Sequence, residues 1–193
     1  MRKTVRAVML LGILLMSGAG IAAQQEEQSI EDRLVAFTHQ LRMSLTLATV
    51  AAHSPTIIDL RLHAQQLINL LEGADGTHFV RPAVSTEMPV GLLREIARLQ
   101  TRFGQVQQDD DLTRVKAAAG NVSTYLEFAL DAALAGLKQR RMDLATSDML
   151  RAYAFLLAAY ERPCDVAYVP ALWTILRVYD LVSRLEANDE SSI

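Results

Sequence analysis

Leu34, Phe37, Leu41, Leu45 and Ala48 recur at intervals of three and four residues between Glu31 and Ala52. That spacing gathers them on one side of an α-helix but scatters them over both faces of a strand, so it predicts a helix. The same period returns at Ile57, Leu60, Ala64, Leu67, Ile68 and Leu71, with Ser54-Pro55 as N-cap and first-turn proline and Gly73 as the stop. Two helices joined by so short a turn run antiparallel, which makes residues 30–72 a helical hairpin. Residues 73–89 hold Gly73, Gly76, Pro82 and Pro89 without a sustained period and read as a long loop, a place where function often resides.

From Val90 the period resumes through Leu92, Ile96, Leu99, Phe103 and Val106. Asp109, Asp110 and Asp111 then set carboxylates at the positive end of a fourth helix that runs to about Gln139. Its polar residues Lys116, Thr124, Glu127, Asp131 and Lys138 fall in one narrow strip. Val122, Tyr125, Leu126, Phe128, Ala129, Leu130, Ala133, Leu134 and Leu137 cover the remaining circumference, the pattern of a helix in the middle of a bundle. Ser147 or Asp148 caps a fifth helix ending near Tyr160, Pro163 and Pro170 bracket a turn, and a sixth helix spans Pro170 to Leu185. Eight of the eleven aromatics lie between Tyr125 and Tyr179, which places the main core in the last three helices. The expected fold is all-α: a bundle of about six helices, with residues 24–187 one domain, helices filling 90–187 and a polar tail at 188–193. A chain of 193 residues, 51% apolar, buries enough surface to fold without disulfides, and its lone Cys164 excludes an internal one.

The first 23 residues read as an export tag: Arg2, Lys3 and Arg6 precede an apolar run from Ala7 to Met16, then small residues ending in Ile21-Ala22-Ala23 before Gln24. Cleavage there removes three of nineteen basic residues, leaving sixteen against twenty-two acidic, a balance of −6. An uncleaved Ala7–Ala23 would reach ~25 Å as a helix, the lower limit for a membrane anchor and a route to membrane contact. The expected location is extracytoplasmic, periplasmic or secreted, with an N-terminal anchor as the variant. A formal charge of −3 lacks the basic footprint that general nucleic-acid binding needs.

Chemical motifs are conspicuous by absence. The chain contains no CxxCH for covalent haem, no HExxH, no GxSxG and no P-loop, and no Glu-x-x-His pair for a di-metal bundle. Cys164 stands beside Asp165, whose charge opposes thiolate formation. The chain therefore reads as a non-enzyme. His39 and Met43 stand four apart on the first helix, on a face opposite the leucine stripe. With the hairpin turn centred on Ser54, His63 falls within ~3 Å axial rise of Met43. Together His39, Met43 and His63 would offer the soft and borderline donors that suit copper or a non-covalent haem. Arg94, Arg98 and Arg102 form a row at i, i+4 and i+8; their mutual repulsion would be relieved by an anionic partner surface. Glu72, Asp75 and His78 recur at spacing three and could face a divalent cation, although Asp75-Gly76 also answers to turn chemistry. Glu127 and Asp131 look like paired carboxylates and fall on the solvated strip of the fourth helix.

The stretch Leu60 to Gly73, LRLHAQQLINLLEG, resembles the helix end His-Ala-x-x-apolar-Ile-Asn-apolar-apolar-Glu-Gly of a group of secreted bacterial helical proteins with no assigned activity. The resemblance spans residues 36–73 and rests on His39, His63, Ala64, Ile68, Asn69, Glu72 and Gly73. It implies a hairpin module and no reaction. Asn69 falls level with His39 across such a hairpin and is expected to hydrogen-bond its ring. The longer acidic, glycine-rich loop of that pattern is here only Ala74-Asp75-Gly76, which argues against a loop-borne cation site. The expected function is that of an exported, non-enzymatic bundle with a protein partner, a binding protein or accessory subunit without cofactor. The alternative is a periplasmic His/Met bundle holding copper or non-covalent haem.

Overall fold

The computed structural model describes residues 29–81, 90–105, 110–160 and 171–179. Six helices, and no strand among the described residues, make it an all-α bundle: α1 (Ile30–Ala52), α2 (Ile57–Glu72), α3 (Leu92–Gln105), α4 (Asp110–Lys138), α5 (Met142–Tyr160) and α6 (Leu172–Val178). The export segment, residues 82–89 of the long loop, Val106, Asp109, Cys164, the turn between Pro163 and Pro170, residues 180–185 of the expected sixth helix and the tail 188–193 lie outside the described residues. The chain forms two compact units, Met1–Arg33 and Leu34–Ile193. In the first unit, Ser29 closes the opening turn of α1, its Oγ accepting the Asp32 N–H at 3.1 Å and its carbonyl the Arg33 N–H at 3.2 Å. The second unit holds the packed helices.

The cap of α2 falls two residues later than the sequence suggests. Thr56 Oγ1 accepts the Asp59 N–H at 3.1 Å and donates to Asp59 Oδ2 at 2.7 Å, a reciprocal pair that a cap at Ser54 would lack. Ser54 instead finishes α1, donating Oγ to the Val50 carbonyl at 2.9 Å. At the other end α5 begins at Met142, well before Ser147 or Asp148. Its first turn is organised by Asp143, and Asp148 is a buried residue inside the helix. The Arg141 guanidinium hydrogen-bonds Asp143 and holds its carboxyl below the usual aspartate value.

α4 is the central helix, packing against α2, α3, α5 and α6, as its narrow polar strip predicts. Its most extensive packing is with α5, near whose start Gly136 lies against Ala145, Asp148 and Met149. A Cβ on Gly136 would stand 3.3 Å from Met149 Sδ and 3.4 Å from the Ala145 carbonyl, so small residues are what let these helices close. The core is accordingly not confined to the last three helices. Both fully buried phenylalanines, Phe37 and Phe103, come from α1 and α3, alongside Leu34, Leu41, Leu60, Leu67, Leu92 and Leu99. Of the later aromatics, Phe128, 46% exposed, lies 5.3 Å from Phe155, whereas Trp173 is buried and meets Tyr160 edge-on at 6.3 Å. α1 is tied to the bundle by Arg42, whose Nε donates to Tyr160 Oη at 2.9 Å, and by Gln40, whose Nε2 donates to the Leu70 carbonyl at 3.2 Å. Among the described residues no helix is long and apolar enough to cross a membrane.

Candidate functional site

The most elaborately built surface feature is the segment that follows α2. Gly73 ends the helix at φ 80°, its N–H bonded to the Asn69 carbonyl at 2.9 Å. Two turns follow, Gly76 N–H to Gly73 O at 3.0 Å and Phe79 N–H to Gly76 O at 3.3 Å, and bring residues 73–81 back across α2 as a strap. Three side chains of α2 hold it. Glu72, nearly buried, accepts the His78 N–H on Oε2 and the His78 ring on Oε1, both at 2.7 Å. Gln65 Nε2 donates to the His78 carbonyl at 2.8 Å and to Asn69 Oδ1 at 3.1 Å. Asn69, 6% exposed, takes both main-chain groups of Val80: Oδ1 accepts its N–H at 3.0 Å and Nδ2 donates to its carbonyl at 2.7 Å. A fourth tie comes from α3, where Arg94 pairs with Asp75.

Beneath the strap the chain crosses itself. A Cβ on Gly91, which sits at φ 53°, would lie 2.2 Å from the Glu72 carbonyl oxygen, and one on Gly73 would lie 2.6 Å from the Gly91 nitrogen. The end of α2 and the entry to α3 are thus in direct backbone contact, a crossing only two glycines permit. α3 starts from it, the Glu95 N–H bonding to the Gly91 carbonyl at 3.0 Å.

This arrangement accounts for Asn69, Glu72 and Gly73 of the resembling segment, with partners the sequence did not indicate. Asn69 serves Val80 and not the His39 ring, because its side chain leaves α2 on the strap side while His39 is exposed on α1. Glu72 and His78 hydrogen-bond to each other and Asp75 turns to Arg94, so the spacing-three trio is divided between two separate contacts. Among the described residues no group of three His, Cys, Asp or Glu could hold a metal ion. The arginine row is likewise engaged within the chain: Arg94 with Asp75, Arg98 with Glu95 at 3.4 Å, and Arg102 also has a partner.

His39 and Met43 lie on the outward face of α1, Met43 56% exposed, and His63 Nδ1 is bonded to Gln66 Oε1 at 3.0 Å. With Gln40 opposite Leu70, His63 stands level with Leu47, about 6 Å along the axis from Met43. His39 and Met43 thus face outward from α1 while His63 is bonded within α2, and the three donors are not gathered at one point in this structure. Glu127 and Asp131 are exposed on α4, as a solvated strip requires.

A second polar chain links α2 to the α4–α5 turn. Arg61 Nη2 donates to the Gln139 carbonyl at 2.7 Å, Gln139 Nε2 to Asp148 Oδ2 at 2.9 Å, and Arg151 Nη1 to Asp148 Oδ1 at 3.0 Å. Arg61 places positive charge at the negative end of α4, and Asp148, 7% exposed, has its charge matched. That cluster is a structural brace.

Apolar groups stand in water beside the strap's own exposed polar residues Asp75, Thr77, His78 and Arg81. Val80 is 55% exposed, and on α2 Ile58 and Leu62 are 75% and 56% exposed. Ile58, Leu62, Gln65 and Asn69 follow one another at steps of four, three and four along a single stripe of α2. The strap covers the amide half of that stripe, and the aliphatic half stands bare. No known protein family, curated protein or solved structure matches the chain.

Proposed function

We propose that this chain is an exported, non-catalytic helical-bundle protein that binds a protein partner, as a binding protein or accessory subunit, through the outer stripe of α2 and the strap beside it. The observation that carries this reading is the strap itself. Gln65, Asn69, Glu72 and Arg94 all hold residues 73–81 in one place, while Val80, Ile58 and Leu62 stay in water. Ile58 and Leu62 are presented by a helix that is already formed, so association with them loses little conformational freedom, which is the property of a preorganised binding face. The arginine row contributes less than its spacing suggests, since its charges are already matched within the chain. Export rests on the tripartite N-terminal sequence alone.

A photo-crosslinking side chain at Leu62 in the natural host, compared with one at Asp131 on the solvated strip of α4, tests the partner. A discrete crosslinked species from position 62 and none from 131 supports the reading; equal or absent crosslinking refutes it. Mass spectrometry of the mature chain tests export: Gln24 or a neighbour at the N-terminus supports cleavage, and an intact Met1 supports an anchor.

A further inference from the structure

Asn69 treats Val80 as one strand treats another. In an antiparallel ladder, a hydrogen-bonded pair exchanges an N–H and a C=O in each direction, which requires both groups of one extended residue to point the same way. The Asn69 carboxamide supplies the complementary acceptor and donor, at 3.0 Å and 2.7 Å. One turn earlier on the same stripe, Gln65 donates to the His78 carbonyl at 2.8 Å. Neither amide touches a strap side chain through these bonds, and the Val80 isopropyl group is 55% exposed. α2 therefore reads main chain in this half of its stripe, whatever the residue. The other half, Ile58 and Leu62, offers aliphatic surface in direct continuity with the covered part and has the opposite chemistry, suited to side chains. Main-chain capture by polar groups with adjoining sites for alternate side chains is how proteins bind extended peptides.

We propose that the outer stripe of α2 is a docking site for an extended, apolar segment of the partner protein, and that residues 78–80 are its internal occupant, displaced when the partner binds. Asn69 and Gln65 hold the incoming main chain, and Leu62 and Ile58 hold its side chains. The clasping groups are uncharged, so the segment need not carry charge. This inference rests on the partner-binding reading above and assigns the form of the partner.

The probe is a blocked peptide with the strap's own sequence, Thr-His-Phe-Val-Arg, added in excess to the full chain. Hydrogen exchange at the Val80 amide is expected to accelerate by about threefold or more while the Leu67 amide in the core is unchanged. In a second arm, Val80→Pro removes the N–H that Asn69 accepts and weakens the strap's hold on the site, while the Gln65 and Glu72 bonds to His78 remain. That variant is expected to bind the fluorescein-labelled peptide about tenfold more tightly than the wild type, since a smaller occupied fraction must first be vacated, and V80P with Asn69→Leu is expected to lose the gain. An unaffected Val80 amide overturns the proposal, as does peptide binding that shifts Ile58 and Leu62 resonances without releasing Val80, the signature of a helical partner on the aliphatic half alone. If these arms fail while Leu62 still crosslinks, the partner reading stands and only this site assignment falls; if Leu62 does not crosslink, both fall.

Discussion

Replacing Gly91 by alanine should be among the most damaging single-methyl changes this chain can receive. The new Cβ meets the Glu72 carbonyl oxygen at 2.2 Å and the Gly73 nitrogen at 2.7 Å, both backbone atoms that no rotamer change can move. At φ 53° an alanine also sits in the left-handed region, at about 1–2 kcal/mol. To reach ordinary contact distance the crossing must open, which pulls Gly73 from the end of α2 and loosens the Glu95–Gly91 bond that starts α3. Adding one or two weakened hydrogen bonds gives a loss of about 3 kcal/mol, or about 6–12 °C in Tm for a domain of this size. Urea denaturation followed by far-ultraviolet dichroism measures it. The control is Gly120→Ala in mid-α4, where a Cβ has nothing within 4 Å and should stabilise by about 0.5–1 kcal/mol. A Gly91→Ala chain within about 1 kcal/mol of wild type would refute the crossing, because strain of that size cannot be absorbed without a visible change in stability.

Asn69→Ala removes both bonds to Val80 and should lower stability by about 1–3 kcal/mol; amide exchange at Val80 should rise more steeply than at Leu67, and parallel changes at the two amides would contradict a local clasp. His63→Ala should cost less than about 2 kcal/mol, since the ring is partly exposed and bonded to Gln66; loss of a bound copper or haem from natively purified protein would show that the outward histidines do hold a ligand. The Asp143 carboxyl should titrate below 3.8 by NMR, and Arg141→Ala should bring it back toward 3.8, because the hydrogen bond from Arg141 is the main cause of the lowering. With its folded value depressed, Asp143 adds stability above the unfolded value and loses it as pH falls through the folded one, so the variant's stability should converge on wild type only in strong acid.

Much of the fold was legible because helices announce themselves through neighbours three and four residues away. α1 starts within a residue of its expected position and α2 ends at Gly73, as its sequence predicts. The errors lay where competing local signals had to be ranked. Ser54-Pro55 and Thr56-Asp59 both spell a cap, and the second wins because its side chains satisfy each other. Asp148 reads as a cap by type, yet it is buried inside the helix, paired with Arg151 three residues on and with Gln139 from the preceding turn, a partner that helix periodicity does not put beside it. Aromatic count misplaced the core, because aliphatic side chains fill most of it and every helix supplies them, Leu41, Leu60 and Leu99 as well as Leu126, Leu156 and Leu176.

The strap was visible in outline only. Gly73, Asn69 and Glu72 stood out within the resembling segment, but nothing along the chain paired Asn69 with Val80 or Gly91 with Glu72. The all-α class, the helix stripes and the central position of α4 follow from periodicity, which operates over one or two turns of a single helix and so can be read from consecutive residues. Which polar groups meet across the strap, which arginines are neutralised, and which half of the α2 stripe remains bare depend on segments brought together by the chain's path. Hydrogen bonds and ion pairs act over a few ångströms of space, and only the folded arrangement sets those distances.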